Sequence, residues 1–143
     1  MMQMETQFDS EKKIRVHQIS GTVNLPEFRE IMQNLYASPD FDPEMNALWD
    51  YRQADFGKVT NDDVRAFIQT VAAYWSKNGS GKYRAAIVVP GMAEYGICRN
   101  YESQFGAAAP CMMKVFLDIE LAWKWFSASE EVVKSMASRP LPS

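Results

Sequence analysis

The chain predicts an α/β fold of order ββαβαβαβα, with a mixed, mostly parallel sheet and helices packed on it. Three observations predict this. Short apolar runs alternate with longer segments whose apolar residues recur at helical spacing. Ala47-Leu48-Trp49 and Ala85 to Val89 are apolar without alternation, as strands buried on both faces are. Between them stands a strongly amphipathic helix that carries Val64, Phe67, Ile68, Val71, Tyr74 and Trp75 on one face and must pack that face on something.

In chain order, Met4 to Phe8 is expected as an edge strand, Asp9-Ser10-Glu11 as a turn and Lys12 to Ser20 as the strand that completes a hairpin. Along this second strand Ile14, Val16 and Gln18 face one way, and Arg15, His17 and Ile19 the other. Gly21 breaks or bulges it. Asn24 then caps a helix, with Glu27 three residues on as in a capping box. Leu25, Phe28, Ile31, Met32 and Leu35 form the buried stripe, and Ser38-Pro39-Asp40 ends the helix because proline cannot continue the hydrogen-bond ladder.

The central strand is expected over Asn46 to Arg52, with a loop from Gln53 to Val59. Thr60 caps the amphipathic helix with Asp63 three residues on, and Asn78-Gly79-Ser80-Gly81 terminates it. The strand Ala85 to Val89 stops at Pro90-Gly91. A helix between Met92 and Phe105 carries Ile97, Cys98, Tyr101 and Phe105 on one side. Met112 to Leu117 is the last strand, and Asp118 caps a final helix through Phe126. A further turn or two of helix is expected within Ser127 to Ala137, and Ser138 to Ser143 reads as a frayed tail.

No repeat or long Pro/Gly/Ser-rich linker divides the chain, so residues 1–143 read as a single domain, long enough for one core. A net charge of −3 without a basic face argues against a nucleic-acid partner. No apolar stretch approaches the length of a membrane span, and Met1 to Gln7 lacks the form of a secretory leader. A cytoplasmic protein with Cys98 and Cys111 reduced is therefore expected.

The search for chemistry is mostly negative. His17 is the only histidine; within its strand it reads as a sheet-surface residue with no partner for a catalytic pair. Without a second histidine or closely spaced cysteines, no metal and no cofactor are expected. Gly79-Ser80-Gly81-Lys82 follows a helix and precedes a strand, the reverse of the order that places phosphate at a helix N-terminus.

Three constellations remain. Asp50 and Arg52 stand at the carboxyl end of the central strand, where open α/β sheets bind ligands. On a structural account, Asp50 accepts backbone N–H bonds and Arg52 pairs with a nearby acid. Tyr95, Arg99 and Glu102 lie on successive turns of the third helix, either lining a cleft in which Arg99 holds an anion or forming a surface ion pair beside a packed aromatic. Gly96 in the same helix costs about 1 kcal/mol relative to alanine, which implies close approach by a backbone or ligand, or a distorted helix start.

The third constellation is Trp123 and Trp125, on opposed sides of the last helix. Ile119, Ala122, Trp123 and Phe126 are expected to cover the sheet, leaving Leu121 and Trp125 as a second stripe. Either Val132, Val133 and Met136 fold over that stripe, or it forms the contact of a homodimer, the reading preferred here.

Leu48-Trp49-Asp50-Tyr51-Arg52, Ala86-Ile87-Val88-Val89 followed by Tyr95-Gly96-Ile97-Cys98-Arg99 and Tyr101-Glu102, and Val115-Phe116 with Ala122-Trp123 resemble, in order and spacing, the SpoIIAA-like branch of the STAS superfamily. The resemblance spans Lys12 to Phe126 and implies a STAS-like mixed sheet; it brings no established activity. In the anti-sigma-factor antagonists of that superfamily a serine at the start of the helix after the central strand is phosphorylated. Here that stretch is Val59-Thr60-Asn61-Asp62-Asp63-Val64, so Thr60 is the one hydroxyl, already used as a cap and flanked by carboxylates that would repel a phosphate.

The expected function is a non-enzymatic module that binds a protein partner or a small, partly apolar ligand near Asp50, Arg52, Tyr95 and Arg99. The alternative is a small hydrolase or transferase using those four residues, against which the lack of a nucleophile-base pair counts.

Overall fold

A computed structural model describes residues 2–42, 44–78, 83–105 and 111–127. These form β1 (Gln3–Asp9), β2 (Ile14–Thr22), α1 (Leu25–Tyr36), β3 (Asn46–Asp55), α2 (Asn61–Asn78), β4 (Tyr83–Val88), α3 (Met92–Phe105), β5 (Cys111–Phe116) and α4 (Ile119–Ser127), in the order expected. The Gly79 to Lys82 stretch, the segment holding Val132, Val133 and Met136, and the frayed tail lie outside the described residues, as do the side chains of Trp75, Phe105 and Cys111.

The strands form one sheet of order β1-β2-β3-β4-β5, with β1 antiparallel to β2 and every other pair parallel. Because β2 to β5 lie side by side in chain order, crossovers of one hand carry α1, α2 and α3 to the same face. The larger core lies there, whereas α4 follows the last strand and packs on the opposite face over Leu48, Ala86, Val88 and Phe116.

The helix signals are local and hold. Asn24 Oδ1 accepts from the Glu27 N–H at 3.0 Å. The Asp63 N–H donates to Thr60 Oγ1 at 3.1 Å while the Thr60 N–H donates to Asp63 Oδ2 at 3.4 Å, a reciprocal capping box. Phe28, Met32 and Leu35 of α1 are buried, as are Val64, Phe67 and Val71 of α2. The Phe67 ring meets Phe28 edge-on at 5.1 Å and Tyr101 at 5.8 Å, so three helices converge on one side chain.

Three expectations need correction. First, β3 continues beyond Arg52 to Asp55. Its register with β2 passes from Gln18↔Asp50 to Ser20↔Gln53, leaving Tyr51 and Arg52 opposite Ile19 alone. This bulge lets pairing resume as far as Thr22↔Asp55, with Gly21 at φ 83° inside the paired extension.

Second, α4 is rotated about its axis relative to the expected orientation. Trp125 is 1% exposed and faces the sheet with Ala122, whereas Leu121 is 43% and Trp123 42% exposed. Trp125 is therefore a core residue and not an interface residue. Six of the nine residues of α4 are apolar, so periodicity leaves its inward direction loosely defined. Arg84 on β4 sets its end, donating from NH1 to the carbonyls of Trp125 at 2.8 Å and Phe126 at 3.0 Å.

Third, Gly96 is exposed, and a Cβ built there would meet nothing within 4 Å, so no close backbone approach requires glycine.

Phe67→Ala is expected to cost about 3–5 kcal/mol through the transfer and cavity terms, measured as the shift in urea unfolding. A loss below about 1 kcal/mol would mean that the three-helix junction is not a buried contact.

Candidate functional site

Strand β2 has β1 on one edge and β3 on the other, and one of its faces lies in the larger core. Its alternation turns Arg15, His17 and Ile19 to that face. Arg15 is 2% and His17 0% exposed, which corrects the reading of His17 as a sheet-surface residue. The polar groups satisfy one another. Arg15 Nε donates to His17 Nε2 at 3.1 Å. An arginine nitrogen only donates, so Nε2 must accept and the ring proton sits on Nδ1, which donates to Thr6 Oγ1 at 2.8 Å. Burial, then the charge of Arg15, lowers the His17 pKa to about 3, and the ring stays neutral. It stacks on Trp49 with centroids 4.0 Å apart. Beyond His17, Arg15 NH1 donates to the carbonyls of Asp42 at 3.4 Å and Met45 at 3.5 Å. The guanidinium carbon lies 4.6 Å from the Phe41 ring centroid and 5.7 Å from that of Tyr83.

Arg15 also forms part of the wall of a cavity of about 80 Å³ between the sheet and helices α1 to α3. Most of the wall is apolar, from Phe28, Met32, Trp49, Phe67, Val71 and Ile87 among others. Few of the lining residues carry a polar group: Arg15, Tyr36, Tyr51, Tyr83, Tyr101 and Cys98. Arg15 and Tyr83 stand at the amino ends of their strands, while Val23, Phe56 and Val59 lie beyond the carboxyl ends of β2 and β3. The lining therefore follows the strands for roughly 25 Å, at about 3.3 Å per residue. Burial, then the neighbouring Cys98, raises the pKa of Tyr51. Burial, then Glu94, pushes the Cys98 thiol up to about 12, so at neutral pH it is a protonated wall group and not a nucleophile.

The four residues expected to form one cleft are divided by the sheet. Strand periodicity puts Asp50 on the α4 face with Leu48, and Tyr51 on the opposite face with Trp49. Asp50 and Arg52 bind each other: Arg52 Nε and NH2 donate to the two carboxylate oxygens, each at 2.9 Å, and the Arg52 N–H donates to Oδ1 at 3.1 Å. Burial alone would raise the Asp50 pKa, but these hydrogen bonds and the guanidinium charge outweigh it and lower the value.

On α3, across the sheet, Arg99 NH1 donates to both Glu102 oxygens at 3.1 and 3.0 Å. Tyr95 is buried beside this pair, its hydroxyl without a hydrogen-bond partner among the described residues. Thr60 Oγ1 is held as a helix cap.

Sequence reasoning missed Arg15, His17 and Tyr51. Reading β2 as half of a hairpin implied a solvent face; the useful signal was that three crossover helices must share a sheet face to which β2 contributes. Among the described residues, no three His, Cys, Asp or Glu side chains are grouped to hold a metal ion, and no helix is long and apolar enough to cross a membrane.

No protein-family model and no curated protein matches the chain. A solved structure does: an uncharacterised protein from the DUF3478 family with a SpoIIAA-like fold, from Shewanella loihica PV-4. It aligns with a TM-score of 0.55 at 16% identity, over 87% of this chain and 93% of that one. The fold is SpoIIAA-like, as the resemblance implied, and at this identity the likeness concerns the fold alone.

His17 supplies a pH test. Its folded pKa of about 3 lies below the unfolded value of about 6.5, so between them the unfolded chain binds a proton that the fold refuses. Its contribution to stability is full above about pH 6.5 and falls by up to about 1.4 kcal/mol per unit below it. The imidazole NMR signal is expected to stay constant from about pH 8 to 5 while the urea midpoint drops below about pH 6.5. A midpoint near 6.5 in the folded protein would mean that the ring reaches water.

Proposed function

We propose that the protein is a non-enzymatic binding module that takes a small, partly apolar ligand into the cavity between the sheet and α1 to α3. The cavity carries this reading: it is lined by residues of three helices and four strands, and its wall is mostly apolar with few polar residues, the composition expected of a small-molecule site. The Asp50–Arg52 and Arg99–Glu102 pairs lie outside this lining.

The test is a thermal-shift panel of small branched alcohols, amides and acids on the wild type and on Val71→Phe, which puts a ring into the cavity. A ligand at a hundredfold excess over its Kd is expected to add about 2.7 kcal/mol to the wild type and nothing to the variant. If no compound stabilises the wild type, or Val71→Phe responds equally, the cavity is not the site.

A second reading, self-association, is favoured by the surface of α4. Leu117, Leu121 and Trp123 are large, apolar and exposed within one short stretch. Leu121 and Trp123 are two residues apart and flank the buried stripe on different sides, so one contact takes one of them; we propose that a second copy of the chain packs about a twofold axis on the Trp123 side, with Trp123, not Trp125, as the aromatic anchor. Light scattering at high micromolar concentration should report a dimer for the wild type and a folded monomer for Trp123→Ala. A monomeric wild type eliminates the contact.

A further inference from the structure

We propose that Arg15 makes the cavity selective for a compact carboxylic acid, bound as its anion with the acid group at the amino ends of the strands. This rests on the cavity reading above and names the ligand class. Arg15 brings a permanent positive charge to an otherwise mostly apolar wall, at a point where exclusion of water strengthens every electrostatic interaction. Its orientation is fixed from behind. Thr6 takes the Nδ1 proton of His17, His17 Nε2 takes the Nε proton of Arg15, and Trp49 stacks on the imidazole.

On NH1 the contacts to the Asp42 and Met45 carbonyls, at 3.4 and 3.5 Å, lie at the long end of hydrogen bonding. A carboxylate entering along the cavity would exchange them for charge-assisted bonds of about 2.7–2.9 Å, roughly twice as strong as neutral ones. A volume of about 80 Å³, roughly half that of an apolar cavity that takes benzene, suits a short branched chain rather than a ring. A monoanion is favoured over a phosphate dianion because the cost of removing an ion from water rises steeply with its charge.

Matched pairs test this: isobutyrate against isobutyramide, and pivalate against pivalamide, by isothermal titration with the full chain. The wild type is expected to bind each acid at least about tenfold more tightly than its amide, a difference of about 1.4 kcal/mol. Arg15→Met should lose that preference while keeping the amide affinity, and Arg15→Lys should retain part of it. Should Arg15→Met fail to fold, the wild-type acid-to-amide ratio and its loss in Arg15→Gln decide. Equal binding of acid and amide by the wild type overturns the role of Arg15 and leaves the cavity reading intact. A preference for the acid that survives both neutral variants also overturns it. Binding of neither compound, together with a silent thermal-shift panel, overturns the cavity reading itself.

Discussion

Strand β2 has neighbours on both edges and helices over one face, so a polar side chain that it turns toward those helices must find its partners inside the protein. Arg15 and His17 are such side chains, and the surrounding architecture follows from satisfying them. The β1–β2 register places Thr6 opposite His17, close enough for the hydroxyl to take the Nδ1 proton. A one-residue slip of β1 would bring Glu5 or Gln7 to that position and turn Thr6 to the other face. Trp49, opposite His17 on β3, supplies the stacking surface. Removing any one partner leaves the others buried with an unmet donor or acceptor, which costs more than a typical hydrogen bond contributes. The edge strand is thus tied to the core by polar specificity as well as by the apolar contacts of Met2 and Met4.

The second polar arrangement works differently. Asp50 is nearly buried, but Arg52 is largely exposed, so solvent screening keeps the net worth of their ion pair modest. Its geometry belongs to the bulge. Tyr51 and Arg52 together oppose Ile19, and the Arg52 N–H donates to Asp50 Oδ1 at the point where the ladder is disrupted. The charge at this place in the strand has a backbone reason. The same bulge carries β3 past the end of β4, placing Phe56 and Val59 where they close one end of the cavity.

What could be read from the sequence divides along physical lines. The capping residues Asn24 and Thr60, the stripes of α1 and α2 and the order of elements depend on spacing within one segment, and they were legible. The inward direction of α4 was not, because its apolar residues cover most of the wheel and the Arg84 contacts that orient it come from a distant strand. The burial of His17 was hidden for a related reason: alternation tells which residues share a face, but only the tertiary arrangement tells whether that face is covered. Grouping Asp50 with Tyr95 placed near one another residues that the sheet separates. The cavity itself has no signature in the chain, since it is space left by packing between Phe28, Phe67, Val71 and Ile87 rather than a pattern along any of them.

That space lies between the sheet and α1 to α3, whereas α4 closes over Trp125 and Ala122 on the other side. Compression favours whichever state eliminates internal void. Hydrostatic pressure should therefore act on the layer where Phe67 joins three helices. A molecule seated in the void would act as an incompressible filler, reducing the volume change on unfolding. The compressibility of this layer is thus set by whether the space is occupied.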